Sequence, residues 1–132
     1  MIATRLMIAA TALSLGLAWS PARADERMIA DVACVPAGAR LAYDCTLELV
    51  RGPGGPPIVE AEVDLAVDMP SMPMAHAVRP VRAVPAGPPG TYRGRLVLEM
   101  HGEWAVKVTL VRPFRAHDTV VLRFEGDGVT PR

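Results

Sequence analysis

A chain of 132 residues balances 14 basic against 14 acidic side chains, and no run of like charges gathers on any segment. That excludes the basic, aromatic-interleaved face used to grip nucleic acid, and the basic amphipathic helix used to lie on a membrane. Thirteen prolines and eleven glycines break the chain at short intervals, so only short elements fit between them.

The first residues form an export signal. Arg5 gives a positive start, Leu6 to Trp19 an apolar run, Ser20-Pro21 a break, and Ala22-Arg23-Ala24 the small-x-small pattern that signal peptidase requires. The apolar run is shorter than the roughly 20 residues of a membrane crossing, so residues 1–24 are expected to be cleaved and no stable membrane insertion to remain. Residues 25–132 then make one exported domain, periplasmic or secreted. Without Arg5 and Arg23 its basic count is 12 against 14 acids, a formal charge of −2.

Export bears on Cys34 and Cys45, the only two cysteines. An oxidising compartment favours a disulfide, and the turn-rich Pro36-Ala37-Gly38-Ala39-Arg40 between them allows a hairpin that brings the sulfurs together. A pair of thiolate metal ligands is the alternative, better suited to the cytosol.

Met28 to Val35 and Leu41 to Val50 read as the first two strands, and Arg51 to Pro57 as a loop. Val59 to Val67 alternates: Val59, Ala61, Val63, Leu65 and Val67 on one side, with Glu60, Glu62, Asp64 and Asp68 on the other. A period of two with acids on one face describes a half-buried strand facing water, in preference to a calcium site. Ala77 to Val84 is a weaker strand; Pro80 lacks the N–H that a central strand donates, which predicts a sheet edge. Tyr92, Gly94, Leu96, Leu98 and Met100 share one face, which puts Met100 in the core and leaves His101 outward. Trp104 to Val111 and Val120 to Phe124 follow, with Trp104 as the large central core residue. Gly90-Thr91-Tyr92 has the form of a tyrosine corner, a hydroxyl tying a loop to the sheet. His117, beside Asp118, reads as a surface residue on a loop. The whole predicts an all-β fold, an antiparallel β-sandwich of about seven strands.

One segment stands apart from these patterns. Met69-Pro70-Ser71-Met72-Pro73-Met74-Ala75-His76 holds three of the five methionines that follow the signal and one of three histidines. Thioether sulfur is a soft, neutral donor that selects Cu(I) or Ag(I) over Zn(II), Mg(II) or Ca(II). In an extended segment Met72, Met74 and His76 fall on the same side of the backbone, and Pro70 and Pro73 reduce the entropy lost when they converge. Met69 reaches the same place if the chain bends at Pro70, and His101 is the candidate fourth ligand. The competing reading makes these methionines a flexible plug at the end of an apolar core.

Met69-Pro-Ser-Met72-Pro-Met74-x-His76, a proline-rich gap, Gly90-Thr-Tyr92 and Leu98-x-Met100-x-Gly102-x-Trp104 occur in that order over roughly residues 41–112. This arrangement resembles the YtkA-like domain, related in pattern to FixH-type proteins. The resemblance implies an exported immunoglobulin-like β-sandwich close to copper handling or oxidase assembly, with an envelope protein of such a system as partner. FixH-type proteins keep a transmembrane helix, from which this chain departs. No nucleophile elbow, carboxylate pair or cofactor fingerprint is present, so no enzymatic activity is expected. Two functions follow: a soft-metal carrier that stores or delivers Cu(I), or a metal-free module that docks on an envelope partner through the strand near Pro80.

Overall fold

The computed structural model describes residues 26–73 and 78–132; the expected export signal, Met74 and His76 lie outside them. Eight strands follow in order: β1 (Met28–Pro36), β2 (Ala42–Arg51), β3 (Glu62–Asp68), β4 (Val81–Pro85), β5 (Thr91–Val97), β6 (Gly102–Arg112), β7 (Ala116–Phe124) and β8 (Val129–Pro131). Every pairing is antiparallel. The strands form a single sheet in the order β1-β2-β5-β4-β3-β6-β7-β8, rolled until its ends nearly meet. The Asp118 carboxylate on β7 accepts a hydrogen bond from the Ala30 amide of β1 at 3.0 Å, which bridges the seam.

The all-β, antiparallel expectation holds, with eight strands among the described residues in place of about seven, and with one rolled sheet in place of the two facing sheets of a sandwich. The extra one, β8, comes from the residues that follow Phe124. Continuity of the sheet depends on β4, and here the expected edge strand is overturned. Val81, Arg82 and Ala83 pair with Leu65, Asp64 and Val63 of β3, whereas Val84 and Pro85 pair with Arg93 and Tyr92 of β5. Pro80 precedes the strand and Pro85 ends it, so neither removes a donor from its middle. The short strand between them is free to bond on both sides and joins the two halves of the barrel.

Alternation fills the interior. Leu47, Leu49, Val63, Leu65, Leu96, Val106, Val108 and Leu110 are buried around Trp104, Tyr43, Tyr92 and Phe124. Each fully buried aliphatic or aromatic side chain contributes roughly 1.5–3 kcal/mol of transfer free energy. Gly94 belongs to this inward row because Leu65 occupies its space: a Cβ there would stand 2.8 Å from Leu65 Cδ1.

The inward row of β3 starts later than its alternation suggests. Val59 is exposed and Ile58 takes the core position. Glu60 has φ +52°, which turns the chain before Glu62 and shifts the face that Val59 presents. Tyr92 holds this turn, donating to the Ile58 carbonyl at 2.7 Å and accepting from the Ala61 amide at 2.9 Å. The tyrosine-corner reading is thereby realised.

Cys34 and Cys45 sit opposite each other on β1 and β2 and are joined by a disulfide, with 4.0 Å between their Cα atoms. Closing this short loop restricts the unfolded chain by about 3 kcal/mol. Neither sulfur is left as a thiolate ligand.

Candidate functional site

Strand direction decides which loops meet. In an antiparallel barrel the ends of β1, β3, β5 and β7 and the starts of β2, β4, β6 and β8 lie at the same rim. That rim therefore carries the 37–41 hairpin, the stretch that leaves β3 at Met69, the 98–101 turn and the 125–128 turn. The topology brings His101, Met69 and Met72 to one end of the molecule.

Met69 is 6% exposed and belongs to the core. Its methyl lies 3.5 Å from where a Cβ would stand on Gly102, so it packs against the start of β6. Its carbonyl accepts the Met72 amide at 3.1 Å, a turn that brings the chain back out. Met72 emerges from this turn 41% exposed. For Met69 the plug reading and the structure coincide; for Met72 they do not.

Met100 departs from expectation. The alternation of β5 predicts it in the core, yet it is 37% exposed. The strand ends at Val97, Leu98 is the last residue to point inward, and residues 99–101 form a bend. The Trp104 indole N–H donates to the Met100 carbonyl at 3.1 Å, satisfying the buried ring and fixing the bend. A second thioether thus faces solvent at the same rim as Met72.

His101 is exposed, as expected. It lines an open groove of about 280 Å³ with Pro36, Arg40, Leu41, Tyr43 and Gly126, and its Cε1 is 3.7 Å from the Cβ direction of Gly126. Tyr43 forms the floor of this side. Its hydroxyl donates to the Glu125 carbonyl at 2.8 Å, and its ring meets Phe124 edge-on at 4.9 Å. Burial pushes the Tyr43 phenol above its ordinary pKa. The groove was not legible in the sequence, because its walls come from the first hairpin and the last turn.

The acidic row of β3 is a solvated, charge-paired face. Arg82 meets Glu62 at 2.9 Å and Asp64 at 2.5 Å, Arg112 meets Glu62 at 3.6 Å, and Lys107 meets Asp68 at 3.7 Å. His117 is also at the surface, but within β7 and not on a loop, near the opposite rim. Among the described residues no three His, Cys, Asp or Glu side chains converge as a metal cluster, and no helix is long and apolar enough to cross a membrane.

The YtkA-like family profile matches residues 19–109. The chain belongs to the YtkA-like family. The match takes in β1 to β5 and most of β6, including Met69, Met72, Tyr92, Met100 and Trp104; β7 and β8, which complete the barrel of this YtkA-like protein, lie beyond it. Comparison with curated proteins and with solved structures gives no match.

Proposed function

We propose that this YtkA-like protein is an exported, non-catalytic module of the periplasm whose methionine-bearing rim holds Cu(I) for storage, delivery or oxidase assembly. One observation carries the reading: the thioethers of Met72 and Met100 and the imidazole of His101 are all exposed on loops of one rim. Methionine on a surface turn does little for folding, since leucine or valine packs as well and a polar residue solvates better. Neutral sulfur donors beside an imidazole suit a soft monovalent ion, and unlike thiols they are not lost to a disulfide in a compartment that has paired both cysteines. Met72, Met74 and His76 form the working set, with Met100 and His101 completing it. Met69 supports the set from beneath through its contact with Gly102.

Titration with Cu(I) against a competing chelator tests this. Sub-micromolar binding that is lost in a Met72→Leu/Met74→Leu/His76→Ala variant supports the reading. Binding weaker than micromolar, or unchanged in that variant, defeats it.

A metal-free docking module is favoured by a different surface. Val35, Val84 and Val97 are each more than half exposed on β1, β4 and β5, arranged around the Asp44–Arg95 ion pair. On this reading an envelope partner covers the outer face of the rolled sheet, since β4 offers no free edge. Recovery of a specific partner without added metal, lost on Val84→Lys/Val97→Lys, is the outcome that favours it.

A further inference from the structure

The five methionines after the signal include two pairs that the barrel treats oppositely. Met28 is 3% and Met69 6% exposed, inside the core, whereas Met72 and Met100 are 41% and 37% exposed at one rim. From this difference we infer that Met72 and Met100 are a modification site for two-electron oxidants, a peroxide or a hypohalous acid, and that their oxidation switches the rim from a soft-metal site to an inert one. The consequence for metal rests on the Cu(I) reading; the selectivity of oxidation rests on exposure alone.

The step is simple to balance. The thioether sulfur donates a lone pair to the terminal oxygen of a peroxide, an S–O bond forms and the O–O bond breaks. The departing oxygen takes up a proton and leaves as water, or as an alcohol from an alkyl peroxide. The sulfur is oxidised by two electrons to a sulfoxide and the peroxide is reduced by two. What had been a polarizable, neutral sulfur donor becomes a dipolar group that presents a hard oxygen, which does not select Cu(I).

The surroundings support reversibility. Met100 meets the fold through its backbone, by the Trp104 indole bond to its carbonyl, and Met72 through its amide bond to Met69. Neither bond involves the side chain, so a polar oxygen on either sulfur is solvated without disturbing the core. Oxidation at Met69 is different: it places that dipole against Gly102 in the apolar interior. The barrel shields the sulfurs it needs for packing and leaves out those it does not.

The test combines limited hydrogen peroxide treatment of the signal-free protein, peptide mapping, and titration with Ag(I) as a redox-inert soft ion. The expected result is sulfoxide at Met72 and Met100 at least tenfold faster than at Met28 and Met69. Circular dichroism stays unchanged, Ag(I) affinity falls at least tenfold, and methionine sulfoxide reductase restores it. Equal oxidation rates at Met69 and Met72 overturn the selectivity. Unchanged Ag(I) affinity in a protein oxidised at both sites overturns the switch while leaving the metal reading in place. An untreated protein that binds no Ag(I) defeats the metal reading and the switch with it, and the mapped rates still show whether the exposure argument holds.

Discussion

The indole nitrogen of Trp104 donates to the carbonyl oxygen of Met100 at 3.1 Å, and this bond ties down the bend from which the exposed Met100 side chain projects. Trp104 is fully buried, so its N–H must find a partner inside the structure. By taking the carbonyl four residues earlier it closes the bend after Leu98 and leaves the Met100 side chain at the rim. Replacing Met100 by leucine therefore changes stability by less than about 0.5 kcal/mol, as at other exposed sites, while weakening Cu(I) binding. Met69→Ala acts first on stability: the loss of a buried methionine costs about 2–5 kcal/mol. Chemical denaturation and chelator-competed titration of the two variants separate these effects.

Tyr92 gives a second prediction. Its hydroxyl serves both the Ile58 carbonyl and the Ala61 amide, at the turn where Glu60 adopts positive φ. Tyr92→Phe keeps the ring but leaves two backbone groups without that partner, a loss of about 1–3 kcal/mol. Urea unfolding measures it. Cu(I) binding stays unchanged, because this turn lies at the rim opposite the methionines.

Much of this fold was legible because the interior is written in alternation: β1, β2, β5 and β6 fall where period-two patterns place them, and Tyr92 does what its position at the strand start suggests. Alternation fails where the backbone leaves the strand. Glu60 turns the chain and exchanges Val59 for Ile58 in the core, and the bend after Leu98 exposes Met100. The role of β4 was hidden for another reason. A proline signals an edge only when it interrupts the hydrogen-bonded run, and Pro80 and Pro85 bracket the run instead. At the rim, the shared location of Met72 and His101 follows from strand direction, which needs the topology. The groove beside His101 needs pairing between the first and last parts of the sheet, and no local pattern records that.

The Cys34–Cys45 bridge supplies a third prediction. Both half-cystines are buried and directly opposed on the first hairpin, whose 37–41 loop walls the groove beside His101. Cys34→Ala/Cys45→Ala removes a cross-link of about 3 kcal/mol, seen as a lower midpoint in thermal or urea unfolding. Under conditions where the variant remains folded, its Cu(I) affinity equals that of the parent, because disulfide sulfurs offer no thiolate. A large drop in affinity for the folded variant would return the cysteines to the site.

The Asp44–Arg95 pair gives the pH dependence its sign. Arg95 holds the Asp44 carboxylate through Nε at 2.9 Å and Nη2 at 3.3 Å, and this hydrogen bonding lowers the carboxyl pKa below its ordinary value. The unfolded chain titrates near 3.9. Because the folded value is the lower one, the pair stabilises the protein fully above that pH and loses its effect as pH falls through the folded pKa. The two side chains are exposed, which keeps the effect small and sensitive to salt. Carboxyl-resolved NMR titration is expected to place the Asp44 midpoint below 3.9, and Arg95→Gln to move it back up toward that value. Stability of the variant then falls less steeply on acidification than that of the parent. A midpoint unmoved by Arg95→Gln would assign the depression to another group, with Arg93, the second cation near Asp44, as the next residue to replace.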